Sequence, residues 1–167
     1  MTAPRPSRPV PAQPPPPSGD PGDGPLADSD TRDAVTTAMS TEHAAIWSYG
    51  LASAYLPASA GLDTAIAAHR ARRDVLAALL ETNGVVAPPA AAAYATPAPV
   101  TDSASAAALL AVAEDDTAAV WRAVVERTDD PDLRRGGTDA VIGAATVGAR
   151  WRRLAGQTPL VPVFPGG

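Results

Sequence analysis

From about Asp30 the chain places apolar or small side chains at intervals of three and four residues, and no proline appears until Pro57. Val35, Met39, Glu42, Ile46, Tyr49, Ser53 and Leu56 fall on one face of a helix. Ser29 or Asp30 is placed to cap its start and Pro57 to stop it. A second helix is predicted from about Ser59 to Asn83. Its stripe is Leu62, Ile66, His69, Arg73, Leu76 and Leu80, and Gly84 stands where a left-handed C-terminal cap belongs. The third, about Ser103–Arg127, starts at Asp102 or Ser103 and carries Ala107, Leu110, Glu114 or Ala113, Thr117, Val120 or Trp121, and Val124. The fourth begins at Pro131, a favoured first-turn proline, behind the cap residue Asp130. Leu133, Ala140 or Val141, Ala144, Val147 or Gly148, Trp151 and Leu154 follow, and Gly156 ends it.

The segments between these helices decide their arrangement. Val85–Val100 holds four prolines and reads as an extended link. A helix of this length spans about 40 Å at ~1.5 Å per residue, and the link covers that distance at ~3.1 Å per residue in polyproline II geometry. Helices two and three then run in the same direction. An up-down-up-down bundle would have no use for such a link. The predicted fold is all-α: a ferritin-like antiparallel four-helix bundle with a long crossover between helices two and three. Ahead of it, ten of the 19 prolines fall within the first 25 residues. Met1–Asp28 has almost nothing to bury and is expected to be a disordered, partly polyproline II tail. The other reading of this tail is a proline-rich ligand for a partner. Residues 29–167 form the bundle, with Leu160, Val163 and Phe164 docking on it.

Composition supports helices over sheets. Half of the apolar residues are alanine, which suits every face of a helix, while Ile and Phe are scarce. The chain contains no Cys, which excludes disulfides, thiolate metal sites and cysteine nucleophiles. It contains no Lys either, which excludes Schiff-base and P-loop chemistry. Net charge is −5. The short clusters Arg70, Arg72, Arg73 and Arg150, Arg152, Arg153 do not build the basic stripe that nucleic acid requires. No apolar run spans a bilayer and no signal core precedes the bundle. The expectation is a cytoplasmic protein that binds neither nucleic acid nor membrane.

Candidate chemistry lies where ionisable residues interrupt the stripes. Glu42 is seven residues from Val35 and from Tyr49, and His69 is seven from Leu62 and from Leu76. Glu114 is four after Leu110. These three are expected to meet in the centre of the bundle, where charges are costly unless paired or metal-bound. Imidazole and carboxylate suit iron or manganese. A di-iron centre in such a bundle also needs Glu-x-x-His on two helices, yet position 66 is Ile and position 117 is Thr. Helix four offers only Asp139 and Arg150. Two readings stand. In the first, Glu42, His69 and Glu114 form a buried polar network with Arg73. In the second they ligate iron or manganese, with waters or a partner chain completing the shell. His43 turns about 100° away from Glu42 and is expected near a helix edge. Arg152 and Arg153 are expected on the surface beside a docked Trp151, and Asp115 and Asp116 are expected to be exposed.

Glu42-His43-Ala44-Ala45-Ile46-Trp47-Ser48-Tyr49-Gly50, His69-Arg70-x-Arg72-Arg73-Asp74, Trp151-Arg152 and Phe164-Pro165-Gly166 resemble an uncharacterised, alanine-rich ferritin-like domain family of actinobacteria, a domain of unknown function. The resemblance covers about Asp30–Gly167. It implies a ferritin-like bundle without an established reaction, and places Glu42, His69 and Glu114 where relatives of the fold keep metal ligands. Ile66 and Thr117 depart from that pattern. The expected function is a non-enzymatic binding or interaction protein that has lost most di-iron ligands. Its partner would be an unknown protein or a second copy in a homodimer, met through Trp47, Tyr55 or Trp121. A metal-binding protein with residual redox activity is the alternative.

Overall fold

The computed structural model describes residues 24–161. Four helices make up the domain: α1 (Ser29–Ala52), α2 (Ala60–Thr82), α3 (Ser103–Arg127) and α4 (Pro131–Leu154). No strand occurs among the described residues.

Capping chemistry sets the boundaries. Asp28, rather than the expected Ser29 or Asp30, caps α1, its carboxylate accepting from Thr31 N at 2.8 Å. A carboxylate there also complements the positive end of the helix. Ser59 caps α2, and Asp130 caps α4 ahead of Pro131. Asp102 caps α3 in a reciprocal box with Ser105. Gly84 and Gly156 take φ of +68° and +69° just past the ends of α2 and α4, the left-handed conformation that glycine adopts without strain. α1 ends at Ala52, four residues before the expected Leu56, although Leu56 is still buried.

Cross-helix contacts fix the directions. Thr31 at the start of α1 donates to the Arg127 carbonyl at the end of α3, and Tyr49 near the end of α1 reaches Glu114. α1 and α3 are therefore antiparallel. Gly137, early in α4, lies against Val125, and Gly148, three turns on, lies against Glu114. α3 and α4 are antiparallel too. The short turn after Ala52 reverses α1 into α2, so α2 and α3 run the same way, joined by the extended link over 85–100. Tyr94 of that link sits against Trp47, ring centroids 5.8 Å apart. α1 packs along α2 and along α3, and α3 packs along α4; α2 and α4 have no comparable contact.

The interior has three layers along the helix axes. One apolar cluster gathers Val35, Met39, Leu76, Leu80, Trp121 and Val124. A second gathers Tyr49, Leu56, Leu62, Ala106 and Leu110. Between them on α1, α2 and α3 lie Glu42, His69 and Glu114. The first cluster also takes in Leu26, only 2% exposed. Arg32 holds the Leu26 and Ala27 carbonyls at 3.0 and 3.2 Å. Residues 24–28, expected within the tail, pack on the bundle, because Leu26 is a bulky apolar side chain within reach of the core. Residues 1–23 of the expected tail, and Val163 and Phe164 of the expected dock, lie outside the described residues. Leu160 is half-buried, and its carbonyl accepts from Arg152 at 3.3 Å.

α4 approaches α3 closely because four of its five buried positions are small: Gly137, Ala140, Ala144 and Gly148. A Cβ on Gly137 would stand 2.6 Å from Val125 Cγ2. Gly137→Ala is therefore expected to destabilise the bundle by about 1–3 kcal/mol despite the better helix propensity of alanine. Val125→Ala in the same chain removes the obstructing methyl and is expected to recover part of the loss, read as a positive coupling in urea denaturation. An unchanged midpoint in Gly137→Ala would show that α4 is free to move off α3.

Candidate functional site

The three ionisable residues expected at the centre do meet. His69 lies between the two glutamates, with Nδ1 2.8 Å from Glu42 Oε2 and Nε2 3.2 Å from Glu114 Oε1. All three are at most 2% exposed. The arginine that joins them is Arg72, whose Nε donates to Glu42 Oε1 at 2.6 Å. The expected Arg73 instead pairs with Asp74 on the exposed side of α2. From His69, three residues carry Arg72 back toward α1, whereas Arg73 points away. Arg72 Nη2 also lies 2.7 Å from His69 Nδ1. That contact is a hydrogen bond when Nδ1 carries no proton and a donor–donor contact when the ring is doubly protonated, whereas the bond to Glu42 holds in either state.

Three aromatic residues complete the layer. Trp121 Nε1 donates to Glu42 Oε1 at 2.6 Å. The Tyr49 hydroxyl donates to Glu114 Oε1, and Trp151 Nε1 donates to the Tyr49 oxygen at 2.8 Å. A continuous chain of hydrogen bonds thus links all four helices, from Trp151 on α4 to Arg72 on α2. No buried side-chain nitrogen or oxygen among the described residues lacks a partner. Tyr49 and Trp121 share the stripes of Glu42 and Glu114, each seven residues away, so spacing alone could have placed them in the layer. Trp121, expected as an exposed aromatic, is buried by this bond.

The charges suit one another. Burial by itself would raise the Glu42 carboxyl, but the hydrogen bond from His69 and the Arg72 guanidinium outweigh it and hold the group below its usual value of 4.5. Burial would lower His69, but its bonds to Glu114 and Glu42 and their charges outweigh that, so its affinity for the proton rises above the usual 6.5. Burial, then the charge of Glu114, pushes the Tyr49 phenol far up, so it stays a donor.

Other candidates fall elsewhere. Thr117, where a ligating histidine would stand, donates to its own helix at Ala113 O, 2.8 Å away. Ile66 packs against the second apolar cluster. His43 is half-buried, and Asp139 and Arg150 are exposed. Arg152 is buried, not on the surface, because Asp115 binds it across the α3–α4 contact; Asp115 is half-buried in consequence. Trp47 is half-covered by Tyr94, and Tyr55 is 39% exposed.

An iron or manganese centre needs lone pairs aimed at one common point. Here both Glu42 oxygens and Glu114 Oε1 face N–H and O–H donors, and both ring nitrogens of His69 face carboxylates. Facing Glu114, α4 supplies Gly148, which carries no ligand. Among the described residues no three acidic or histidine side chains are grouped to hold a metal ion. As arranged, the donors and acceptors of this layer are paired with one another rather than directed at a common point.

Residues 34–167 match a family described as Domain of unknown function (DUF4439). The crystal structure of a conserved hypothetical protein from Mycobacterium tuberculosis superposes with a TM-score of 0.72 at 38% sequence identity, over 75% of this chain and 97% of that one. No curated protein matches. No helix among the described residues is long and apolar enough to cross a membrane. The four-helix architecture, the sequence match and the actinobacterial relative agree with the expected kinship: the chain belongs to the DUF4439 family, a domain of unknown function.

Proposed function

We propose that this domain is a ferritin-like bundle that works as a binding module, with Glu42, His69 and Glu114 as a structural polar layer in place of a metal centre. Its recognition surface in this reading is the groove between α2 and α4. The groove carries the reading. It has a volume of about 400 Å³, and Val75, Leu79, Trp121 and Leu133 give it a predominantly apolar lining. Val75 is 64% exposed. Binding sites in helix bundles commonly lie in such clefts between helices. A depression of like volume between the first half of α1 and the end of α3 is lined by Asp30, Asp33 and Arg127 and offers far less apolar surface.

The polar layer supports the groove from behind. Arg72 and Trp121 both line it, and Glu42 Oε1 holds both at 2.6 Å. Side chains fixed in advance lose little entropy when a ligand arrives. The layer thus contributes to binding through rigidity.

Titration of the full chain with anilinonaphthalene sulfonate, an aromatic anion that fluoresces in apolar clefts, tests this. The expected result is one saturable site that shifts the Trp121 indole N–H resonance and is lost in Val75→Glu, with the thermal midpoint unchanged. Binding that is insensitive to Val75→Glu, or shifts spread evenly over the bundle, would sink the reading.

A further inference from the structure

The described chain begins at the groove's own edge. Pro25 lines it together with residues of α2, α3 and α4, and 23 residues precede Gly24 in the sequence. We propose that the groove is the docking site for that proline-rich segment of the same chain, with Pro14–Pro17 lying across Val75, Leu133 and the edge of Trp121. The inference rests on the groove reading given above and names its occupant.

Three observations select this occupant. The first is hydrogen-bond accounting. An ordinary peptide laid in an apolar groove buries backbone N–H groups with few acceptors to meet them. Pro14–Pro17 are four consecutive residues without an N–H. Prolines are also stiffened in advance in an extended form, and proline-rich segments dock in aromatic-lined grooves for that reason.

The second is reach. Ser18–Gly24 separates the four prolines from the bundle and contains Gly19, Gly22 and Gly24. Seven residues span at most roughly 23 Å when extended, and glycine permits the tight reversal needed to bring the segment back over Pro25. A docked segment joined this closely competes at a high effective concentration against any ligand in solution.

The third is charge. Residues 1–17 carry Arg5 and Arg8 and no acidic residue. The groove's rim carries Asp130 and Asp132. Arg72 in the lining is offset by Glu42 and Asp132 is paired with Arg135, so the acidic end that suits the sign of the segment is at Asp130, and the segment's neighbouring acids, Asp20 and Asp23, fall in the linker. Occupied this way, the domain covers its own binding surface, and a partner must displace the segment to bind.

Absence of cysteine from the sequence makes a direct test possible. Pro15→Cys combined with Val75→Cys in the full chain reads proximity by disulfide formation in dilute solution. Pro15→Cys with Ile142→Cys is the control, because Ile142 is 60% exposed and lies half-way round α4 from Leu133. The expected result is intramolecular trapping at Val75 at least about tenfold faster than at Ile142. Equal rates would overturn the proposal, as would cross-linked dimers, which would assign the groove to a second copy. The fluorophore separates this failure from failure of the groove itself. Replacing Pro14–Pro17 by serine is expected to tighten fluorophore binding several-fold. Unchanged binding in that variant rejects the segment as occupant while leaving the groove as a site; absence of binding in both chains rejects the groove as well.

Discussion

Glu42→Ala is expected to be among the most damaging single substitutions in the bundle. It removes the acceptor for His69, Arg72 and Trp121 at once. The His69 Nδ1–H and the Trp121 indole N–H are then left buried without an acceptor, and Arg72 at the groove loses its carboxylate, while His69 keeps only Glu114. Removing one member of a buried ion pair typically costs about 3–5 kcal/mol, because the remaining charge is left uncompensated. For a domain of this size that corresponds to a fall of roughly 10 °C or more in Tm. Glu42→Gln keeps the shape and one acceptor oxygen, but turns an amide N–H₂ toward a donor, so an intermediate loss is expected. Thermal unfolding of the three chains with and without added Fe(II) or Mn(II) checks the assignment. A structural layer predicts that stability falls in this order and that neither metal raises the wild-type midpoint. Saturable metal binding by the wild type that disappears in a still-folded Glu42→Gln chain would mean that the glutamates ligate a cation.

The second large effect is a stability optimum in mildly acidic solution. The Glu42 carboxyl is held below its usual value of 4.5, so its contribution is complete above that value and lost as pH falls through the lowered one. His69 is raised above 6.5, so its contribution is complete below 6.5 and lost as pH rises through the raised value. Stability is therefore expected to be greatest between about pH 4.5 and 6.5 and to fall on both sides. The capping carboxylates Asp28 and Asp102, lowered chiefly by backbone hydrogen bonds from Thr31 and Ser105, steepen the acid side. Asp116, raised by burial and by Asp115, works in the opposite sense there. Only His69 loses a proton on the neutral-to-alkaline side within the layer, since the Tyr49 phenol stays protonated throughout. Urea midpoints from pH 3 to 9 should show both limbs in the wild type and only the acid limb in His69→Gln. A wild-type midpoint that does not decline above neutrality would show that His69 is buried uncharged.

Much of this architecture was legible in the sequence because it depends on local chemistry. Ser59, Asp102, the Asp130-Pro131 pair, Gly84 and Gly156 each mark a helix end through their own conformational preferences. Glu42, His69 and Glu114 were legible as a group because each interrupts an apolar stripe near the middle of its helix. Other features depend on packing. Arg72 and Arg73 differ by one position, and which of them joins the layer follows from where α1 lies relative to α2. Leu26 stands among prolines and glycines, so composition assigned it to the tail; its burial depends on a pocket built by α1, α2 and α3. Arg152 reads as one of a surface cluster until Asp115 is seen across the helix contact. The groove left no trace in any stripe, because it arises from the distance between two helices far apart in sequence.

That distance also shapes how the domain opens. α3 is clasped on two sides, by α1 and by α4, whereas α2 packs closely along α1, meets α3 through side chains at Glu114, Trp121 and Val124, and is tethered by a short turn at one end and a proline-rich strap at the other. The least expensive excursion from the native state is then a swing of α2 away from the other three helices, a partial unfolding rather than a global one. Such an excursion would bring water to Glu42 and His69 together, and it would take Val75 and Leu79 with it, dissolving the groove wall. Whatever lies in that groove spans the seam between the mobile helix and the fixed ones. An occupant therefore works as a latch, raising the cost of the swing in proportion to how tightly it binds.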